Sequence, residues 1–166
     1  MTHPTQMAAA RQGILTPQMR QVLVDERISE TDLLERVADG RIAIPANRNH
    51  TSLRARGVGA GLTTKINVNL GVSEDCCNVE RELDKVRRAI ELKADAIMDL
   101  STFGDTRAFR RRAVAISPVM LGTVPVYDAV ARYGKDVAAI SVDDFFQVVR
   151  MHAEDGIDFM TIHAGL

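Results

Sequence analysis

One repeated unit constrains this chain more than any other feature. A short apolar run ends in a polar residue and is followed by a stretch of helical periodicity. The runs are Ile66–Leu70, Ala96–Leu100, Met120–Val124 and Phe159–Ile162. After the first, Ser73 is placed to cap a helix in which Val79, Leu83, Val86 and Ile90 recur at spacings of 4, 3 and 4, one apolar stripe. After the second, a basic helix is expected over residues 106–116, ended by Pro118. Before the fourth, Ser141 and Asp144 have capping-box spacing, and the helix behind them presents Phe145, Val148, Val149 and His152 up to Gly156. The order β-α-β-α-β-α-β predicts an α/β fold with a parallel sheet covered by helices. Strands covered on both faces read as short apolar runs. An open doubly wound sheet and part of a (β/α)8 barrel both fit.

The residues at the ends of the runs favour the barrel. Asn69 closes the first strand. Met98, Asp99 and Ser101 close the second. Thr123 closes the third, with Tyr127 just after it, and His163 closes the fourth. In parallel α/β folds the carboxyl strand ends form the site face. A barrel needs about 250 residues. The expected organisation is therefore a small, mostly helical domain over residues 1–62, then the first half of a barrel over 63–166, cut after its fourth strand. In the first domain Thr16-Pro17 reads as an N-cap with proline in the first helical position. Ser29 and Asp32 have capping-box spacing, and Gly13 and Gly40 sit where helices end. Ile42–Ile44 reads as a strand stopped by Pro45, and 46–62 as a glycine-rich loop.

Composition removes several classes. With 21 basic and 22 acidic residues the net charge is −1, without the basic excess of a nucleic-acid binder. No apolar run approaches the ~20 residues of a membrane span, and the first residues lack a secretory signal. The two cysteines, Cys76 and Cys77, are adjacent. Neighbouring cysteines pair only with strain, so a reducing, cytoplasmic setting is expected.

Among candidate chemical groups, Gly57, Gly59 and Gly61 precede a strand instead of following one, the reverse of a nucleotide loop. Cys76-Cys77 lacks metal-ligand spacing. Arg107, Arg110, Arg111 and Arg112 read as a solvated helix face, with part of the charge salt-bridged to neighbouring helices. His3, His50 and His152 read as structural or exposed. His163 differs, because it follows an apolar strand, where its imidazole can donate to and accept from a ligand. Asn69 offers a donor and an acceptor, Tyr127 a hydroxyl on a ring, and Met98 an adaptable apolar contact. Together they read as a pocket.

Several segments carry a family resemblance: KINVNLG from Lys65, ADAIMDLST from Ala94, GTVPVYDA from Gly122 and FMTIHAG from Phe159. TQMAAARQGILTPQM from Thr5, RIAIPANRNH from Arg41 and GAGLTTK from Gly59 add to it. The chain resembles the ThiC family of radical SAM enzymes over essentially its whole length. The resemblance implies a (β/α)8-barrel lyase. It implies a 4Fe–4S cluster held by three cysteines in a carboxyl-terminal segment, S-adenosylmethionine, and a second metal ion such as zinc. The cluster, reduced by an electron donor, would cleave S-adenosylmethionine to a radical that abstracts hydrogen from the ribose of 5-aminoimidazole ribotide. A homodimer is implied for the full-length protein. Four family substrate contacts fall on Asn69, Met98, Tyr127 and His163. No catalytic residue and no metal ligand of the family falls within these 166 residues, so the isolated chain is expected to be inactive. STFGD and PVYDAV resemble the branch that forms 5-hydroxybenzimidazole for cobamides. The alternative product is hydroxymethylpyrimidine phosphate, for thiamine.

Two readings compete with the enzyme. A non-catalytic half-barrel would bind a phosphorylated imidazole or dimerise through its open sheet edges. A doubly wound nucleotide domain would need a glycine-rich turn after the first strand, where Leu70-Gly71-Val72-Ser73 has one glycine.

Overall fold

The computed structural model describes residues 5–134 and 136–164. The chain divides into two compact units, Met1–Ala46 with Arg54–Lys65, and Asn47–Leu53 with Ile66–Leu166.

In the first unit, α1 (Gln6–Ala10), α2 (Pro17–Asp25) and α3 (Glu30–Ala38) each start at a hydroxyl cap. Thr5, Thr16 and Ser29 accept from the amides of Ala8, Met19 and Asp32. Each cap satisfies an amide that the helix cannot pair itself. Met19, Val22, Leu33, Val37 and Ile42 form the core. The glycine-rich stretch is not all loop. Its Val58–Gly59 is a strand, β2, antiparallel to β1 (Ile42–Ala43), with Ile42 opposite Gly59. A Cβ on Gly59 would lie 2.1 Å from the Arg41 carbonyl oxygen, and its φ is +147°. Close backbone approach is thus the reason for that glycine.

The second unit carries four parallel strands, β3 (Asn67–Leu70), β4 (Ala96–Asp99), β5 (Met120–Thr123) and β6 (Phe159–Met160), in the spatial order of the sequence. The sheet is open along the described residues. The helices are α4 (Val79–Glu91), α5 (Thr106–Ile116), α6 (Pro125–Tyr133) and α7 (Val142–Glu154). Val68, Leu70, Ile97 and Leu121 pack with Leu83, Val86, Phe109 and Ala113 in one core. Each large apolar side chain buried there is worth roughly 1.5–3 kcal/mol. Side chains alternate along a strand, so Asn67, Asn69, Met98 and Gly122 point to the other face. No helix among the described residues is long and apolar enough to cross a membrane.

Three details differ from expectation. Ser73 does not cap α4: residues 73–76 close a turn between the Ser73 and Cys76 backbones, and Asn78 caps instead, accepting from the Arg81 amide. The apolar run Met120–Val124 ends earlier, because Pro125 starts α6, which the run concealed; Gly134, left-handed at φ 59°, ends that helix. Among the described residues two α-helices and a short 3-10 helix (Val137–Ala139) therefore lie between β5 and β6, and β6 stops at Met160. The capping box of Ser141 and Asp144 is present with both its bonds.

Asn47–His50 clasps the amino ends of β5 and β6. Asp158, just before β6, accepts from the amides of Asn47 and Leu121, each at 2.8 Å, and meets His50 Nδ1 at 2.7 Å. Asn47 Nδ2 donates to the carbonyls of Ala153 and Ile157, and Asn49 Nδ2 to that of Glu154. Ala153 and Glu154 are the last residues of α7, and Ile157 lies just beyond it. His50 is 3% exposed, and its Nε2 lies 2.8 Å from the Ser117 carbonyl. Both ring nitrogens face acceptors, an arrangement that favours the doubly protonated ring. Burial alone pushes the His50 pKa down. The hydrogen bond and charge of Asp158, with the Ser117 carbonyl, outweigh burial and hold the pKa above its ordinary value.

Candidate functional site

Strand register sets the first half of the site. Asn69 pairs with Met98, Met98 with Gly122, and Gly122 with Phe159, one row across the sheet face turned from the helices. Asn69 is exposed and accepts from Asn67 Nδ2 at 2.8 Å. Met98 beside it is 9% exposed. A Cβ on Gly122 would lie 2.3 Å from the Phe159 ring, so glycine there is what lets the ring lie across β5.

The second half sits after β5 and β6. Tyr127, which follows β5 in the sequence, lies on the first turn of α6. His163 lies beyond β6 in non-strand chain. Their rings are 5.9 Å apart between centroids and tilted by 33°. Both are exposed. His163 also lines a cavity of about 270 Å³ with Val126, Ile140, Phe145, Thr161 and Ile162. The structure thus gathers the four expected residues as two pairs, Asn69 with Met98 and Tyr127 with His163. Of the other histidines, His50 and His152 are buried, and His3 lies outside the described residues.

Behind the carboxyl strand ends lies a buried polar network. Thr123 Oγ1 meets His152 Nδ1 at 2.8 Å, and His152 Nε2 meets Asp128 Oδ2 at 2.8 Å. The Thr106 hydroxyl donates to Asp128. Arg110 bridges Asp128 at 3.4 Å and Asp155 at 3.1 Å. Burial alone would raise the Asp128 pKa; the bonds from His152 and Thr106 and the Arg110 charge outweigh it and hold the carboxyl below its ordinary value. Asp99 goes the other way: burial raises it, against the hydrogen bonds from Ser101.

This network corrects the reading of the arginine run at Arg110 alone; Arg107, Arg111 and Arg112 are solvated and salt-bridged as expected. Arg110 is 2% exposed. Arg107 and Arg111 also pair with Asp155, and Arg112 pairs with Glu80. Carboxylates from α4, α6 and the end of α7 neutralise the run. A signal was present, since Thr106, Phe109, Arg110, Ala113 and Val114 form the buried stripe of α5 at helical spacing.

The cysteines do not fit an iron–sulfur cluster. Cys76 is half-buried with Sγ 3.8 Å from Glu82 Oε1, and Cys77 is exposed. Among the described residues no three His, Cys, Asp or Glu side chains converge as metal ligands.

The fold and the strand ends place the protein among parallel α/β proteins with polar side chains at the carboxyl edge of the sheet. The chain belongs to the radical SAM ThiC family, whose model matches residues 5–166. It is 59% identical over 166 residues to a phosphomethylpyrimidine synthase of Pelotomaculum thermopropionicum, covering 100% of this chain and 38% of that protein. It is 58% identical over 164 residues to the phosphomethylpyrimidine synthase of Fusobacterium nucleatum, covering 99% of this chain and 38% of that protein. It is 56% identical over 166 residues to that of Clostridium tetani, covering 100% of this chain and 36% of that protein. The chain therefore spans little more than a third of the length of these curated relatives.

Proposed function

We propose that this chain is the substrate-holding part of a radical SAM enzyme that forms hydroxymethylpyrimidine phosphate from 5-aminoimidazole ribotide. The observation that carries this reading is the gathering of Asn69 with Met98 and Tyr127 with His163 at the carboxyl ends of parallel strands. In this reading the Asn69 amide and the His163 imidazole hydrogen-bond the ligand. The Tyr127 ring and the Met98 side chain fix its plane and exclude water. Holding one C–H at a defined place is a large part of the rate of such a reaction, and a dry site limits side reactions of a radical. A 4Fe–4S cluster and S-adenosylmethionine supply that radical in this family. The cysteines described here do not fit the cluster, so no step is assigned through it.

A (β/α)8 barrel is the architecture proposed for the second unit. Its support is the strand order β3-β4-β5-β6, which never reverses as a doubly wound sheet does, together with Asn67 and Asn69 exposed on the face turned from the helices.

The product is proposed from the relatives. STFGD and PVYDAV lead to an expectation of 5-hydroxybenzimidazole, but the three relatives are named for the pyrimidine, so the thiamine branch is taken here. The test is product analysis of a full-length protein carrying this chain, given 5-aminoimidazole ribotide, S-adenosylmethionine and reductant. Hydroxymethylpyrimidine phosphate is expected. 5-Hydroxybenzimidazole would overturn the branch, and turnover by the 166-residue chain alone would overturn the substrate-holding role.

A further inference from the structure

We propose that Asp128 and His152 are positioning residues for Tyr127, and through it for the Tyr127–His163 pair. The proposal rests on the reading of that pair as ligand-holding. Tyr127 stands on the first turn of α6, and Val124 at the N-cap makes no side-chain capping bond. That turn is held instead by the next residue in the chain. The Asp128 carboxylate takes the Thr106 hydroxyl and the Arg110 guanidinium from α5, and His152 Nε2 from α7. His152 in turn meets Thr123, the last residue of β5, through Nδ1. The start of α6 is thus tied to α5, α7 and β5 through a single carboxylate.

The fold alone does not require this arrangement. A buried ion pair is a weak source of stability, because desolvation cancels much of the attraction, and apolar residues of like volume often serve as well. What such a network supplies is direction, since each hydrogen bond fails when its angle or distance drifts. Here the direction is spent on one turn, whose neighbouring side chain is an exposed ring 5.9 Å from His163. His152 and Asp128 reach neither ring in this structure, so they act on a ligand only through Tyr127. Arg110 and Thr106 complete the cradle from the other side, and Arg110 is itself fixed by Asp155.

Two measurements test this. In the 166-residue chain, the nuclear Overhauser contact between the Tyr127 and His163 ring protons reads the pair directly. His152→Ala should abolish it in molecules whose circular dichroism is unchanged, while His152→Gln, which keeps a donor toward Asp128, should restore it. In a full-length protein carrying the chain, His152→Ala should raise KM for 5-aminoimidazole ribotide about tenfold or more, and His152→Gln should recover most of that loss. A folded His152→Ala protein with the ring contact and KM intact, and only a lower melting temperature, would overturn the proposal. If His152→Ala does not fold, Thr106→Val removes one hydroxyl from the same carboxylate. A weakened ring contact is expected there, and an unchanged one overturns the proposal. A parent protein that does not bind 5-aminoimidazole ribotide, yet shows the ring contact and its loss in His152→Ala, would count against the proposed function and not against the positioning.

Discussion

The two ends of the parallel sheet use the same chemistry for different purposes. At the amino ends, His50 and Asp158 form a buried pair whose remaining hydrogen bonds all go to backbone: the amides of Asn47 and Leu121 and the carbonyl of Ser117. The side chains of this pair are both fully buried. At the carboxyl ends, His152 and Asp128 form a second buried pair, with a threonine hydroxyl on each side and an arginine beside them. The residue before Asp128 is an exposed tyrosine in contact with His163. A buried His–Asp pair thus does not reveal its role by itself. Its neighbours do: backbone groups mark a staple, and side chains next to an exposed ring mark a positioning device.

The largest expected effect would come from breaking the staple. Asp158→Ala leaves the buried His50 ring and the amides of Asn47 and Leu121 without their acceptor; each unsatisfied donor costs about 1–3 kcal/mol, so a loss of about 3 kcal/mol or more of stability is expected. Urea denaturation checks this, and a loss below about 1 kcal/mol would mean that the clasp is incidental. A smaller effect is expected at the carboxyl end from Gly122→Ala. The new methyl would meet the Phe159 ring, and overpacking of this kind costs about 1–3 kcal/mol. Because Phe159 leads into the segment bearing His163, ligand affinity should fall as well, which titration of the full-length protein would read. Parental stability and affinity would show that the ring has room to move.

A third way to sharpen the comparison is pH. His50 has a folded pKa above its ordinary 6.5. Its contribution to stability is therefore fully present below the unfolded value and lost as pH rises through the folded one. Asp128 has a folded pKa below its ordinary 3.8. Its contribution is present above the unfolded value and lost as pH falls through the folded one. The amino-end staple should weaken on the alkaline side and the carboxyl-end network on the acid side. His50→Gln should flatten only the alkaline limb of a stability–pH curve, and a curve that keeps this limb would assign it to another group.

The parts of this fold legible in the sequence are those set by local chemistry. Apolar runs place β3, β4 and β5, and Thr16, Ser29 and Ser141 announce helix starts, because a hydroxyl before a helical stripe satisfies amides within three residues of itself. Elements set by distant partners were hidden. β2 exists only because Ile42 lies opposite Gly59. The start of α6 was absorbed into the apolar run of β5, since Val124 and Val126 flank the proline that begins the helix. Asn69 and Met98 stand out because each lies at the end of an apolar run; that they sit side by side shows only in the strand register. The contact of Tyr127 with His163 could not be read, because it depends on two α-helices folding back between β5 and β6. The burial of Arg110 is legible in the stripe of α5, but its carboxylate partners are not, because they lie in elements distant in sequence.

The most direct test of the central claim, that ligand is held at the carboxyl ends and not at the amino-end clasp, is calorimetric titration of 5-aminoimidazole ribotide into full-length protein carrying this chain. His163→Ala and Asn69→Ala are each predicted to weaken binding about tenfold or more, while His50→Gln binds as the parent does. Parental affinity in both His163→Ala and Asn69→Ala would contradict the account.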